Sequence, residues 1–445
     1  MNDTDSGIIA SRPRFTTRFG IVMTFIGVAV GLGNVWRFPY MVAAFGGGAF
    51  LLVYLLVLVL FGIPALMAEL TIGRMTRSGP VGAFTSIGMP AGRPLGWALF
   101  ATVFMAVSYY TVIVGWVLRY FLVAASGKID AINPATFFDN LLAGLAGQFL
   151  MTAIVLVLVG AVLVMGIREG VERISKIGMP LLFVLLLVLI ARSLTLPGAG
   201  AGLKFYLFPD FSRIDVGVVT AALGQVFFSL SLGGTFLVTY ASYLPANTNL
   251  KTTAVSIGLG ETLAAVLAGF VIVPAAVAFG LDLESGPSLT FITVPSIFGQ
   301  MKGGSIFAAL FFGLLFFAAF LSAVAAFEVL VTTAVDHLGW RRSKAVVVFC
   351  TASLLAGTLA MMSLDYMLTS DLFWGSTMQP VGSALTLAGL AWVIGLGKTL
   401  DAVNEGNEGR PVGKLWYYWI KYVIPVGIVV ILALGLDDLF EVFFG

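Results

Sequence analysis

The chain has 445 residues, of which 59% are hydrophobic and only 10% charged, whereas in soluble domains about a quarter of residues are charged. Its formal net charge is +2 and its Lys and Arg residues form no dense basic block, so nothing supports a nucleic-acid partner. The single cysteine, Cys350, and single histidine, His337, exclude an internal disulfide, a thiolate cluster and a histidine-based catalytic site. The composition predicts an all-α polytopic membrane protein that is not an enzyme.

Apolar stretches of about 20 residues, the length that crosses a bilayer, recur along the whole chain. In chain order, the predicted helices cover residues 19–42, 45–72, 95–125, 146–166, 172–194, 216–243, 251–281, 304–337, 344–364, 371–397 and 414–440. The polar segment 1–18 carries no cleavable signal pattern. We expect one membrane domain over 1–445, with its main ordered external structure at 282–303.

Charge alternates between successive connections. One set of connections holds Arg12, Arg14, Arg18, Arg74, Arg77, Arg93, Arg168, Arg173, Lys176, Arg341, Arg342, Lys344, Lys398, Arg410 and Lys414. The other set and the tail hold mainly acidic residues, among them Asp130, Asp139, Asp282, Glu284, Asp365, Asp437, Asp438 and Glu441. The positive-inside rule therefore predicts a cytoplasmic N-terminus, and the odd number of helices predicts an external C-terminus.

Two predicted helices, five apart, contain helix-breaking residues at mid-span. The first reads GVAVGLGNVWRFP from Gly27 to Pro39, and the sixth reads GQVFFSLSLGGT from Gly224 to Thr235. Irregular backbone at membrane depth is tolerated where it lines a protected cavity, and matching breaks in two inverted repeats indicate a transporter's binding site. Glycines alone also suit close helix packing. Asn34, Ser229 and Ser231 beside the breaks favour a binding site, because polar groups at this depth need partners.

Several motifs resemble those of the neurotransmitter:sodium symporter family. They are GVAVGLGNVWRFPYMVAAFGGGAFLLVYL, GIPALMAELTIGR, YYTVIVGW, GQVFFSLSLGGTFLVTYASY and FITVPSIFGQMKGG, in family order from about Arg12 to the tenth helix. The resemblance implies the LeuT fold, a 5+5 inverted repeat with unwound helices 1 and 6. Residues 19–194 and 216–397 are then the two repeats, 414–440 an extra helix, and 1–18 a cytoplasmic gate segment. It also implies sodium-coupled symport by alternating access in a bacterial inner membrane.

The resemblance implies a site for an amino acid. Its carboxylate would meet the amides of Leu32 and Gly33, the hydroxyl of Tyr110 and a sodium ion, since amides at a half-helix N-terminus attract anions. Its ammonium group would meet the carbonyls of Ala29, Phe228 and Ser229 and the hydroxyl of Ser231. The remaining substrate-binding residues implied are Ala106, Gly234, Ser322 and Ala326.

Four small residues in this site indicate the substrate class. Gly31 stands where monoamine-transporting relatives have an aspartate, which favours a substrate with its own carboxylate. Gly234 replaces a phenylalanine of relatives, and Ala106 and Ala326 replace branched residues. Because protein interiors are close-packed, the removed volume predicts a bulky hydrophobic or aromatic L-amino acid.

The first implied sodium site consists of Ala29, Asn34, Ser229 and Glu261, where relatives have asparagine at the last position. A carboxylate there would supply the negative charge that chloride provides in other members, so we expect no chloride. A one-residue shift would place Gly260 in the ligand position instead. A glutamate within an apolar span is a functional candidate, the alternative being a buried structural hydrogen bond.

The second implied sodium site is incomplete. Gly27, Val30, Ala318 and Ser322 match, but Leu321 stands where relatives have threonine or aspartate. Because a cation in a low dielectric needs a nearly full oxygen shell, three outcomes stay open: weak sodium binding, no second ion, or proton coupling through Glu261. One or two sodium ions are therefore expected. A proton-coupled or weakly coupled transporter, or an amino acid sensor on the same scaffold, are the alternatives.

The resemblance also implies gates on both sides of the site. The extracellular gate is Arg37 with Asp371, closed by Phe228 and Tyr110, while Asp365 is a second candidate partner of Arg37. The intracellular gate comprises Arg12, Phe15, Ser242, Tyr243, Glu328 and Asp336, with Phe15 where relatives have tryptophan. Exposed ion pairs suit gates, since each is worth only about 0 to 1 kcal/mol. Glu69 is expected to accept hydrogen bonds from unwound amides. The sequence does not determine the oligomeric state.

Overall fold

The structure is a computed structural model that describes residues 14–281 and 288–433. Each of the eleven predicted spans has a helical counterpart within these residues. They are α1a (Arg18–Ala29) and α1b (Gly33–Ala44), α2 (Gly48–Thr76), α3 (Gly92–Ala125), α4 (Leu145–Gly166), α5 (Arg173–Leu194), α6a (Val216–Ser229) and α6b (Phe236–Ala241), α7 (Leu250–Ala278), α8 (Gly304–Leu338), α9 (Arg342–Met362), α10 (Leu364–Ile394) and α11 (Lys414–Ala433).

The two predicted breaks are confirmed. α1a and α1b meet at an angle of 60°. Val30 ends α1a in an extended conformation, with φ −75° and ψ 116°. Between α6a and α6b the chain turns through Leu230 to Thr235. Here Ser231 and Thr235 have positive φ angles of 54° and 58°, which are uncommon for residues with a side chain. Both breaks therefore expose backbone groups that a continuous helix would have paired.

Two long helices, α3 and α8, pack against each other and form the centre of the bundle. They run antiparallel: Phe121 lies next to Gly313 at one end, and the amide of Gly79, before α3, bonds Asp336 near the end of α8 at 3.4 Å. α1a packs on α5, α7 and α8, and α6b packs on α2 and α8. The broken helices are therefore held between continuous ones.

The connections hold short helices that apolar span length does not predict. They are Pro80–Ser86, Pro134–Ala143, Ala199–Leu207, Val294–Gln300 and Leu396–Asn404. The predicted external structure at 282–303 is helical from Leu289 to Gln300, and residues 282–287 lie outside the described part. The last predicted residues of α11, 434–440, also lie outside it.

One helix limit differs from the prediction for an identifiable reason. α10 begins at Leu364 rather than residue 371, because the hydroxyl of Ser363 caps it by accepting from the amide of Tyr366 at 3.1 Å. α4 and α5 agree with the prediction within one residue at each end. Gly166, with a φ of 81°, breaks the helix between them, and a π-helical turn at Ile167–Glu172 leads into α5.

Candidate functional site

A cavity lies between the two breaks, bounded by α3 and α8. Ten of the eleven predicted substrate-binding residues line it, and Gly234 is the exception. The sequence did not single out seven further lining residues as substrate-binding: Val28, Gly31, Val107, Tyr109, Phe236, Asp371 and Gln379. The site is therefore formed largely by the residues that the motifs indicated.

One end of the cavity is polar. The hydroxyl of Tyr110 is buried beside the amide of Leu32 and the hydroxyl of Ser322, but makes no hydrogen bond with any described residue. Gly33, the first residue of α1b, also lines the cavity. A phenol and the amides at the start of a helix are donors suited to a carboxylate.

Gly31 is required by the packing at this end. A Cβ at this position would lie 2.6 Å from Oγ of Ser322 and 3.1 Å from the hydroxyl of Tyr110. The first distance is shorter than real Cβ contacts and the second is tighter than most, so even a small side chain would displace the Ser322 hydroxyl. The aspartate of monoamine-transporting relatives therefore has no room here.

A buried group of oxygen atoms joins α1, α6 and α7. Oδ1 of Asn34 accepts from the amide of Gly31 at 2.9 Å, and Nδ2 donates to Oγ of Ser229 at 3.1 Å. Asn34 and Ser229 both donate to Oε1 of Glu261, and Thr262 donates to Oε2 at 3.1 Å. Asn34 and Glu261 are fully buried and Ser229 nearly so. A carboxylate, an amide and a hydroxyl in contact are the oxygen donors that a hard cation takes.

The region of the second implied sodium site is apolar at its centre. A Cβ on Gly27 would lie 3.0 Å from Cδ1 of Leu321, so this leucine packs directly on the α1a backbone. Leu321 is 3% exposed. The hydroxyl of Ser322 donates to the carbonyls of Val28 and Val30 at 3.3 and 3.2 Å. A methyl group of Leu321 and the carbonyl of Val30, which already accepts from Ser322, lie where the resemblance implies cation ligands. The residues present therefore do not fit a second sodium ion.

The space beside Gly234 is filled, contrary to the prediction. A Cβ on Gly234 would lie 2.0 Å from an edge carbon of the Phe236 ring. Phe236 is 9% exposed and lines the cavity, whereas Gly234 does not. The volume that a phenylalanine at position 234 would occupy is thus taken by a ring that begins α6b.

Glu69 has the role expected of it. Its Oε1 accepts from the amide of Gly233 at 2.7 Å, within the α6 break. Glu69 is fully buried in α2. On the facing side, the side-chain amide of Gln225 donates to the carbonyl of Gly33 at 3.1 Å, which ties α6a to α1b.

The predicted extracellular pair is near but not joined. No ion pair within 4.0 Å connects Arg37 and Asp371, both of which the structure describes. Instead, the guanidinium of Arg37 lies 4.4 Å from the centre of the Phe228 ring, and the hydroxyl of Tyr109 donates to Asp371 at 2.9 Å. Asp365 belongs to the first turn of α10. Arg37 and Phe228 therefore cover the cavity by stacking rather than through a salt bridge.

On the opposite side, Phe15, Tyr243 and Glu328 are in contact, while Arg12 lies outside the described residues. Phe15 is 4% exposed and meets the ring of Tyr243 edge-on at 6.4 Å. The hydroxyl of Tyr243 donates to Glu328 at 2.8 Å. Asp336 accepts from Gly79, and Ser242 is buried in the turn that ends α6b.

The sequence prediction missed Arg342 as a gate residue. It bonds both carboxylate oxygens of the buried Glu328, through Nη1 at 3.0 Å and through Nη2. Arg342 begins α9, and the sequence prediction uses it only as one of the charges that set the topology. An arginine directly before an apolar span and a glutamate within another are the available signals of such a pair.

A cavity at the junction of two broken helices is the arrangement of a secondary transporter. The model of the sodium:neurotransmitter symporter family matches residues 12–130 and 144–441. The chain belongs to this family. It is a sodium-dependent membrane transporter and not an enzyme, and it has the LeuT fold, with α1–α5 and α6–α10 as inverted repeats.

Individual relatives agree with this assignment. The chain is 34% identical to an uncharacterized sodium-dependent transporter of Haemophilus influenzae, over 96% of this chain and 98% of the relative. It is 33% identical to the uncharacterized sodium-dependent transporter YhdH of Bacillus subtilis, over 94% and 96%. The crystal structure of MhsT in complex with L-phenylalanine has a TM-score of 0.86 and 35% identity, covering 96% of this chain and all of that one.

Proposed function

We propose that this transporter carries a hydrophobic or aromatic L-amino acid into the cell together with sodium. The observation that carries this proposal is the pairing of a polar end, at Leu32, Gly33 and Tyr110, with an apolar wall of the same cavity, at Ala106 and Ala326. The polar end offers donors to a carboxylate, and the carbonyls freed by the break offer acceptors to an ammonium group. The L-phenylalanine bound by the related MhsT supports this class of substrate.

The apolar walls support a side chain without charge. Ala106 and Ala326 lie one helical turn from Tyr110 and Ser322, respectively, so the polar and apolar parts of the cavity are adjacent on both helices. An apolar wall favours a hydrocarbon side chain, since each buried CH₂ group contributes about 0.8 kcal/mol. A charged side chain directed at these two alanines would lose its hydration without a partner at that wall.

The first sodium ion is proposed to bind Asn34, Ser229 and Glu261, with the carbonyl of Ala29. Glu261 would compensate the ionic charge within the protein, so transport would not need chloride. The buried contacts of Asn34 and Ser229 with the Glu261 carboxylate support Glu261, rather than Gly260, as the ligand.

We infer that no second sodium ion takes part. The apolar contact of Leu321 with Gly27 and the hydrogen bond of Ser322 to Val30 support this stoichiometry. These contacts hold α1a against α8 without an ion between them. One sodium ion per amino acid follows.

The proposed cycle uses the whole chain as one transporter domain in a bacterial inner membrane. Residues 19–194 and 216–397 would form its two inverted repeats, with 1–18 as the cytoplasmic gate segment and 414–440 outside the repeats. The cluster of Phe15, Tyr243, Glu328 and Arg342 would close the cytoplasmic path. Arg37 and Phe228 would close the external one.

Uptake into proteoliposomes tests the proposal. Radiolabelled L-leucine or L-tryptophan is offered with an inward sodium gradient, an inward proton gradient or neither, and in chloride or gluconate. We expect accumulation only with the sodium gradient, and equally in both anions. Equal uptake in all three gradients would contradict symport, and sodium-dependent binding without flux would indicate a sensor.

A further inference from the structure

The floor of the cavity contains one aromatic ring that the motifs do not account for. Phe236 is the first residue of α6b, directly after Thr235, whose φ of 58° turns the chain. This turn places the Phe236 ring over the backbone of Gly234, two residues earlier. The ring is therefore held against a glycine, where no side chain of its own helix competes for the space.

The position of the Phe236 ring along the helix axes follows from the neighbouring helices. Ala106 precedes Tyr110 by one turn of α3, and Ala326 follows Ser322 by one turn of the antiparallel α8. Both alanines thus lie on the side of the polar end that leads toward Glu328. α6b runs in the same direction, and Tyr243, two residues after its end, bonds Glu328 at 2.8 Å. Phe236, Ala106 and Ala326 line the cavity on this common side.

We propose that Phe236 determines which amino acid side chains the transporter accepts. This inference rests on the proposed function, and it assigns the size limit of the apolar end to one residue. A substrate held at Leu32 and Tyr110 directs its side chain toward the two alanines and the Phe236 ring. The alanines leave the floor open, so the ring is the bulkiest group there and limits the length of the substrate.

A side chain at position 234 and the ring of Phe236 would compete for the same space. Gly234 has no positive φ, so its backbone accepts a side chain without strain. The three atoms nearest to its Cβ all belong to the ring of Phe236, at 2.0 to 2.9 Å, and a ring at the end of a side chain can rotate away. The ring already borders the cavity, so it would move into the substrate space. The cavity would then accommodate only smaller side chains of the substrate.

Affinity measurements on two reciprocal variants test this proposal. Purified wild type, Phe236→Ala and Gly234→Ala are titrated calorimetrically with L-alanine, L-leucine, L-phenylalanine and L-tryptophan in sodium chloride. We expect Phe236→Ala to raise the affinity for tryptophan relative to leucine by about tenfold, and Gly234→Ala to lower it by a similar factor. Leu237→Ala is the matched control, because Leu237 is the next residue of α6b, fully buried, and does not line the cavity.

Three outcomes are distinguishable. The proposal is supported if the order of amino acid affinities changes in Phe236→Ala and Gly234→Ala and stays as in wild type in Leu237→Ala. An unchanged order in Phe236→Ala, or the same change in Leu237→Ala, overturns it. If Phe236→Ala does not fold, Phe236→Leu gives a smaller change in the same direction, and an unchanged order in that variant overturns the proposal. Wild type that binds none of the four amino acids contradicts the proposed function instead.

Discussion

The amide of Gly233 donates a hydrogen bond of 2.7 Å to the buried carboxylate of Glu69, which joins α2 to the break in α6. Gly233 itself has no room for a side chain, since a Cβ would lie 1.6 Å from the carbonyl oxygen of Gln379. α2 and α10 thus contact the α6 break at the same residue. The irregular backbone is paired by a side chain where a continuous helix would have paired it internally.

Replacing Glu69 should therefore destabilise the protein. Glu69→Ala leaves the Gly233 amide buried without its acceptor, which costs about 1 to 3 kcal/mol. A lower midpoint of thermal unfolding in detergent is the expected result. Glu169→Ala is the matched control, because that glutamate side chain is 76% exposed. Equal midpoints for the two variants would show that Glu69 does not support the break.

Glu261→Gln should weaken sodium binding. The substitution keeps the shape of the side chain but removes the charge that faces the proposed ion, and a tenfold loss of affinity corresponds to about 1.4 kcal/mol. We expect at least that loss in the sodium dependence of amino acid binding. Sodium affinity equal to wild type would show that the charge of Glu261 does not contribute to the site. Glu69→Gln is the control for loss of a buried carboxylate elsewhere.

Leu321→Thr should create a second sodium-dependent step. The threonine hydroxyl would add an oxygen ligand beside Gly27, whereas Leu321→Val has nearly the shape of threonine but no hydroxyl. Wild type and the valine variant should show single-site sodium saturation of amino acid binding, and the threonine variant a steeper curve. A steep sodium curve in wild type would contradict one-sodium coupling.

Arg342→Gln should destabilise the closed cytoplasmic side. It leaves Glu328 buried without its cation, a loss of about 3 to 5 kcal/mol when one partner of a buried pair is removed. The double variant Arg342→Gln with Glu328→Gln should recover part of that loss in thermal unfolding. Arg341→Gln, the exposed neighbour, is the control. No recovery in the double variant would mean that Arg342 acts through another contact.

The sequence predicted the spans and the breaks because both depend on local composition. A run of apolar residues must form a helix in a bilayer, and glycines next to Asn34 or Ser229 mark where a helix can open. The ligand groups around these breaks were implied by the resemblance to the symporter family. Motif order then assigned residues on different helices to one site.

Packing between distant residues could not be predicted in this way. The ring of Phe236 fills the space beside Gly234 because of a turn at Thr235, which is a property of the folded chain. Likewise, Arg37 stacks on Phe228 rather than pairing with Asp371, and Arg342 reaches Glu328 from another helix. Each of these contacts depends on the position of side chains from separate elements.

The burial of Glu261 has a consequence for the energy available to transport. This carboxylate is part of the protein, so it remains in place while the cargo moves, and an amino acid with its ammonium and carboxylate groups has no net charge. In the proposed cycle, one positive charge therefore crosses the bilayer with each substrate molecule. A membrane potential of 100 mV would contribute about 2.3 kcal/mol to each turnover, in addition to the sodium gradient. Accumulation would then follow the voltage of the cell, even at a constant external sodium concentration.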